Sequence, residues 1–474
     1  MAMSLLKLVF CVCCCVMSVR CLEQNKLVAW SSEEYSSLHS MLLTSDGEHL
    51  FIADERYVYY ISPENLAFKR NVKCRTTQMI YDKTKNHLFL CCKGFPFCYQ
   101  WLYGINDFGD YFKPTIRING VKAFVATYAK PDDRKPNDNF LFIGCPHVEG
   151  QEKLGGKCTK PGIAWYLNHG NDKSVPWFGF KSFDKTPVLT DEFIDALTVD
   201  NLRLFFSKQT VKATGRRRSQ IAQVCQHFIQ RDNNYSTPYT YADMQVQCGQ
   251  LKEIKAVKKV VVGTEKLFVI VFSDNSISAV CVFTMENVKR KFVENIKDCY
   301  RGIRVSEKED YIDFQQSSIP CKTAIADNET FRKPDDYFLC NKDNLELYHH
   351  VIGTKILTSQ PVLQYDVQLT AVTVSVVDSK VVAFFGTATR TILKAVVYPT
   401  ASAVSIKQPV IRKVGHTILQ DMYTSKDQKH IFVLTTKQVL KVPVESCRYF
   451  SSCEDCVTDP LCAWCVDIWY TEMR

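Results

Sequence analysis

The chain predicts an all-β fold, a seven-bladed β-propeller. Three observations carry that reading. A strand, a tight polar turn and a second strand form one phrase that occurs seven times. Its copies start roughly 40 to 65 residues apart, with one gap of about 115, which is the period of propeller blades. A lone hairpin is marginal in water, whereas blades set radially cover one another's faces and leave only short edges.

The clearest copy is Leu267–Phe283, LFVIVFSDNSISAVCVF, in which Ser273-Asp274-Asn275-Ser276 supplies the turn. Asp and Asn side chains bond their own backbone and tolerate left-handed conformations there. The other copies are Leu50–Ser62, Leu88–Trp101, Phe140–Leu167, Leu204–Phe228, Val381–Tyr398 and Ile431–Val444. Glu23–Ser45 precedes the first copy and is placed to lend an outer strand to the last blade, closing the ring.

Composition sets the outer bounds. The 474 residues, 46% hydrophobic, can bury a large core, and the net charge of +9 comes without a basic run of the kind that binds nucleic acid. Met1–Cys21 reads as a signal peptide, with Lys7 ahead of the apolar run Leu5–Met17, too short to span a bilayer comfortably. No later stretch is apolar enough to span, so the chain as given is expected to be secreted or lumenal.

Five of the 22 cysteines lie in that leader and 17 follow it, which in an exported chain reads as disulfides. Cys453-x-x-Cys456 and Cys462-x-x-Cys465 have zinc-ligand spacing, but the oxidising compartment argues for bridges. Asn234-Tyr235-Ser236 and Asn328-Glu329-Thr330 are N-glycosylation sequons in polar sequence.

Between copies, Pro131–Asn139 is a charged loop, and Ala213–Ser219 (ATGRRRS) an exposed turn of the fourth blade. Arg216, Arg217 and Arg218 there are candidates to meet an acidic partner, although a run of this kind is more often a solvated hairpin tip. Asp191, Glu192 and Asp195 cluster in DEFIDALTVD, which reads as a polar turn entering a strand. The long gap, 284–380, reads as an insertion after blade five. It opens with Met285–Lys297, where Val288, Phe292 and Ile296 make one apolar face of a helix. Its cysteines would hold a loop-rich segment by restricting the unfolded chain.

After Val444 the character changes. Cys447–Cys465 packs five cysteines into a stretch too short for a core of its own. KQVLKVPVESC at Lys437–Cys447, followed by Cys453-x-x-Cys456 and DPLCAWC at Asp459–Cys465, resembles the plexin junction between the sema domain and its first cysteine-rich (PSI) module. SAVCVF at Ser278–Phe283, DCYRG at Asp298–Gly302, and Ala222–Cys225 leading to Cys248-Gly249 are also similar to plexin phrases.

After the signal peptide at 1–21, the resemblance implies a sema propeller over 22–446. It implies that the insertion is the family's extrusion and that 447–474 is a partial PSI module. It also implies disulfides Cys225–Cys340, Cys248–Cys281, Cys299–Cys321, Cys92–Cys98, Cys447–Cys462 and, less directly, Cys74–Cys91. Cys145 and Cys158 flank a Gly-rich loop and would close a local hairpin. Cys453, Cys456 and Cys465 are left over. Either the chain is a fragment of a single-pass plasma-membrane receptor, or it is a short secreted form with altered pairing.

No catalytic constellation stands out. None of the 10 histidines falls in HExxH, no GxSxG or phosphate-cradling loop occurs, and no cofactor is implied. His87 and His430 each open a strand. A glycosidase would need paired carboxylates in the central channel. What the resemblance implies is an extracellular recognition domain that binds a semaphorin by protein–protein docking, in cell or axon guidance, with weak self-association admitted. The alternative is a secreted semaphorin-like ligand or a soluble decoy.

Overall fold

In the computed structural model, each repeated phrase forms the second and third strands of a sheet of four or more strands. The structure describes residues 28–31, 37–82, 87–92, 97–101, 113–117, 125–129, 140–145, 162–167, 177–180, 187–200, 202–225, 229–231, 234–236, 240–274, 276–303, 305, 311–313, 319–320, 349–398, 406–445 and 461. Within these lie seven sheets of four or more strands and one two-stranded hairpin.

From the inner strand outward, blade 1 is Ser40–Leu43, Leu50–Ala53, Tyr57–Ile61 and Phe68–Lys73. Blade 2 is Thr76–Asp82, His87–Cys92, Phe97–Trp101 and Lys113–Arg117; blade 3 is Val125–Ala129, Phe140–Cys145, Gly162–Leu167 and Trp177–Phe180. Blade 4 is Val188–Val199, Leu202–Val211, Arg217–Cys225 and Thr240–Cys248; blade 5 is Ile254–Val262, Glu265–Asp274, Ile277–Thr284 and Leu363–Tyr365. Blade 6 is Leu369–Val377, Lys380–Thr387, Thr391–Val397 and Ile406–Lys413. Blade 7 is Ile418–Thr424, His430–Thr435, Gln438–Pro443 and, from the other end of the chain, Val28–Ser31.

That last strand runs antiparallel to Gln438–Pro443, with Val28 opposite Lys441 and Trp30 opposite Val439. Glu23–Ser45 thus contributes the outer strand of the last blade. The inner strand of every blade touches that of the next, and blade 7 returns to blade 1, so the ring is closed.

The continuous apolar runs follow from this arrangement, because a mid-blade strand is covered on both faces. In blade 5, Phe268, Ile270 and Phe272 pack toward blade 4, while the alternating Leu267, Val269 and Val271 pack toward blade 6. Full burial of each such side chain contributes about 1.5–3 kcal/mol. Similar apolar clusters fill the seams between blades 6 and 7, 7 and 1, and 1 and 2. The hairpin at Asp378-Ser379 has both residues at positive φ, 47° and 62°. This turn matches the right-handed twist of its strands.

Helix α1, Met285–Tyr300, follows blade 5's third strand. Thr284 caps it, its hydroxyl accepting from the Asn287 N–H at 3.0 Å. Val288, Phe292 and Ile296 are buried against blades 4 and 5, as their spacing predicts. The insertion differs from expectation in one respect. It lies inside blade 5, between Ile277–Thr284 and the outer strand Leu363–Tyr365, and Leu369–Val377 already belongs to blade 6. The insertion therefore stops short of 363 rather than running to 380. A three-residue outer strand leaves no periodic signal, and the repeated phrase marks only the second and third strands of a blade.

Pieces of the insertion also extend other blades. Ile312–Asp313 adds a fifth strand to blade 3, pairing with Phe180 and Gly179. His349–Ile352 and Leu357–Ser359 lie parallel to the outer strand of blade 4, and Ile319–Pro320 pairs with the first of them.

Candidate functional site

The three arginines of the fourth blade do not form one patch. Gly215, at φ +63°, makes the turn, and Arg217 and Arg218 already belong to the third strand. Arg216 is exposed and its guanidinium makes no ion pair among the described residues. Arg217 is paired with Glu253 at 3.1 Å. Arg218 turns along the blade, donating to Gln209 Oε1 at 3.2 Å, and its charge acts on Asp191 and Asp243.

Asp191 and Asp195 are not in a turn, contrary to expectation. Both lie in the inner strand Val188–Val199 of blade 4, which bulges between Phe193 and Asp195. Turn-forming residue types are overridden here by pairing with Leu202–Val211 along the whole strand. Only Glu192 takes the solvent side, paired with Lys208 at 2.9 Å.

The side of blade 4 that faces blade 3 carries a polar set which single-residue reading missed. Phe193 packs onto Gly144 of blade 3 so closely that a Cβ there would fall 2.7 Å from its ring. Asp191, Ser207, Gln209, Gln220, Tyr241 and Asp243 share that face and are all buried. Tyr311, from the insertion and wholly buried, completes the set. Its hydroxyl donates to the Asp243 carboxylate and lies 2.7 Å from Gln220 Oε1. Tyr241 donates to the same carboxylate at 2.9 Å, and the Gly353 N–H approaches its other oxygen at 3.3 Å.

Burial pushes the Asp243 carboxyl upward, opposed first by the two tyrosine donations. Asp191 is different: burial pushes it up to about 7, opposed by Ser207 and Gln209, neither of which reaches its oxygens in good hydrogen-bond geometry. The sequence signal for this set was confined to Asp243, whose strand TYADMQVQC alternates it with the apolar Ala242, Met244 and Val246, whereas the mixed sequence VLTDEFIDALTV around Asp191 carries none.

A second charged set lies on the axis. Gln420 of blade 7 donates to the Ile194 carbonyl of blade 4 at 3.4 Å, a contact possible only across the central channel. Lys258 of blade 5 sits 4.7 Å from the centre of the Tyr423 ring of blade 7. Burial raises both Asp195 and Asp421, and the Lys258 charge lowers both. Asp421 also accepts the Met41 N–H of blade 1 at 2.7 Å. Two carboxylates do share the channel, but Lys258, Tyr423 and blade backbones engage them, so this arrangement ties blades 1, 4, 5 and 7 together. Among the described residues no group of three or more His, Cys, Asp or Glu converges to hold a metal, and no helix is long and apolar enough to cross a membrane.

Two disulfides have both of their side chains described. Cys248 at the end of blade 4's outer strand is bridged to Cys281 in blade 5's third strand. Cys74, just past blade 1, is bridged to Cys92 of blade 2. The expected pairs Cys74–Cys91 and Cys92–Cys98 are therefore not the ones formed. Neighbouring strand residues point to opposite faces, and Leu88, Leu90 and Cys92 all face the Val72 and Cys74 side. Cys91 is also disulfide-bonded and stands opposite Cys98 in the hairpin register.

Cys299 is disulfide-bonded too, but Cys321 lies outside the described residues. So do Cys340, Cys158, Cys447, Cys462, Asn328, the leader 1–21 and nearly all of 447–474, while of Cys145 and Cys225 only the strand placement is described. Asn234 opens the second strand of the short hairpin Ile229–Arg231/Asn234–Ser236, between the third and outer strands of blade 4.

The sequence model of the Sema domain family matches residues 250–425. The curated relative Plexin-B2 of Mus musculus is 24% identical over 390 residues, covering 73% of this chain and 19% of the relative. The chain thus spans about a fifth or less of the length of the curated plexins it matches. Among solved structures, the full extracellular region of Plexin A4 superposes with a TM-score of 0.69 at 15% identity, covering 89% of this chain and 40% of that one. Drosophila Semaphorin 2a gives 0.65 at 15%, covering 92% and 78%. Drosophila Plexin A in complex with Semaphorin 1b gives 0.61 at 14%, covering 91% and 90%.

Proposed function

The chain carries a Sema domain and is related to the plexins, and from that premise we propose that it is the ligand-recognition domain of a plexin-type receptor, binding a semaphorin in cell or axon guidance. The observation that carries this reading is the sequence relationship to a plexin over 73% of the chain. Drosophila Plexin A forms a complex with Semaphorin 1b, which supports a protein ligand of the same class. Docking onto a rigid blade edge would draw its affinity from a few buried anchors within a larger polar patch. The exposed Arg216 remains a candidate for that patch.

The accompanying features fit export: a leader at Met1–Cys21, glycans at Asn234 and Asn328, and a partial PSI module after the propeller. Bridges Cys225–Cys340, Cys299–Cys321, Cys145–Cys158 and Cys447–Cys462 belong to the same proposal. In a full receptor a membrane anchor would follow the ectodomain. A second reading, a semaphorin-like ligand or decoy, draws on the fold shared with Semaphorin 2a.

Light scattering after size exclusion separates the two. A monomer that gains the mass of one semaphorin supports the receptor. A stable dimer that ignores semaphorins and binds a plexin overturns it in favour of the ligand.

A further inference from the structure

We propose that the seam between blades 3 and 4 is a proton-binding clasp, in which Asp191 holds one proton when the insertion is locked onto the ring and gives it up when the seam loosens. The geometry sets the count of charges. Two carboxyl groups, Asp191 and Asp243, lie on one buried face, and Arg218 is the cation whose charge reaches both. With both acids ionised, the seam carries one uncompensated negative charge away from water, which is costly.

A single proton neutralises the set, and the hydrogen bonds decide where it goes. Asp243 accepts from Tyr311, Tyr241 and the Gly353 N–H, and donors of this kind favour the charged form. Asp191 has only Ser207 and Gln209 as neighbouring donors, and neither reaches its oxygens in good hydrogen-bond geometry, so Asp191 is the group that takes the proton.

Among the described residues, the charges that act on Asp191 are those of Arg218 and Asp243. On the neighbouring strand the groups facing Asp191 are Ser207 and Gln209, with Arg203 at the far end of that face beyond Phe205. Farther out are Arg218, Gln220, Tyr241, Asp243 and the insertion's Tyr311, with His350 level with Tyr241 on the added strand. The four strands of blade 3 contain no Asp, Glu, Lys, Arg or His, and their titratable residues are Tyr128, Cys145 and Tyr166. The upward push on Asp191 to about 7 agrees with this count.

The same face holds Tyr311, one residue from the strand that the insertion adds to blade 3. A charge on Asp191 therefore weakens the place where the insertion spans two blades. The sign follows from linkage. A carboxyl whose folded pKa lies above its unfolded value adds stability at low pH, and that stability is lost as pH rises from about 4 to about 7.

The test compares wild type, D191N and D195N by chemical denaturation from pH 5.5 to 8. Asp191 is expected to lower the wild-type folded-to-unfolded ratio about 30-fold across that range. D191N should lose that fall and exceed wild type at pH 8, while D195N, which removes a second carboxyl that burial raises, keeps the part due to Asp191. A D191N profile parallel to wild type, or a fall removed by D195N instead, would overturn the proposal. Should D191N fail to fold, hydrogen exchange on the wild type decides. After correction for chemical rates, amides of 188–211 and 311–313 should be better protected at pH 6 than at pH 8, and equal protection would refute the clasp.

Discussion

Blade 4 meets its two neighbours in opposite ways. Toward blade 5 the seam is apolar: Leu204, Phe206, Met244, Phe268 and Phe272 interleave, α1 lays Phe292 across them, and Cys248–Cys281 joins the blades. Toward blade 3 the seam is built from acids, amides and tyrosine hydroxyls, with Tyr311 brought in from the insertion. The apolar seam draws stability from area and shape, which change little with solution conditions. The polar seam depends on directed bonds and on a charge balance, so it responds to pH and to the loss of a single hydroxyl. A closed ring tolerates one conditional seam because the others hold it.

The largest predicted effect falls on the apolar side. Phe268→Ala should cost about 3–5 kcal/mol in chemical denaturation, since the ring of a wholly buried residue is lost and the cavity cannot collapse. A cost below that of any change at the polar seam would break the comparison. Replacing both Cys248 and Cys281 with serine should cost about 2–5 kcal/mol and leave the fold at low temperature intact. Tyr311→Phe should cost about 1–3 kcal/mol by removing one donor from a buried carboxylate. It should also raise protease sensitivity within the insertion more than across blades 5 to 7, which sharpens the contrast because α1 remains anchored.

Thr284→Ala, which removes the cap of α1, should cost about 1 kcal/mol, read as a small drop in the denaturation midpoint. Arg216→Glu should leave stability within about 0.5 kcal/mol. Combined with Arg217→Glu, which also breaks an exposed pair of modest value, it should weaken the proposed semaphorin binding without changing the melting temperature. Unchanged affinity would remove this turn from the docking surface.

What could be read in advance follows the same division. The apolar runs at Leu267–Phe272 and Val381–Phe385 mark strands covered on both faces, and Val288, Phe292 and Ile296 mark the buried side of α1. These are local periodicities, and they survive folding because tertiary contacts reinforce them. Asp191 was misplaced because Asp is a turn-forming residue locally, whereas the strand around it is imposed by a partner strand and a facing blade. The bridge Cys74–Cys92 depended on which of two adjacent cysteines faced blade 1, which strand alternation decides and spacing in the chain does not. Tyr311 sits in loop sequence, and its role exists only because the insertion returns to two blades that precede it.

Val28–Ser31 completes the blade that Ile418–Pro443 begins, and this sets an order of events during synthesis. The first of these strands leaves the ribosome with an unpaired edge, while its partner is not yet made. At ~5–20 residues per second the wait is roughly 20 to 80 seconds. Throughout that interval an exposed strand and an open circle of blades must be kept from pairing elsewhere. Closure of the ring is thus the meeting of Val28–Ser31 with Gln438–Pro443, and a nascent chain halted before Gln438 would hold most of its blades and still have no ring.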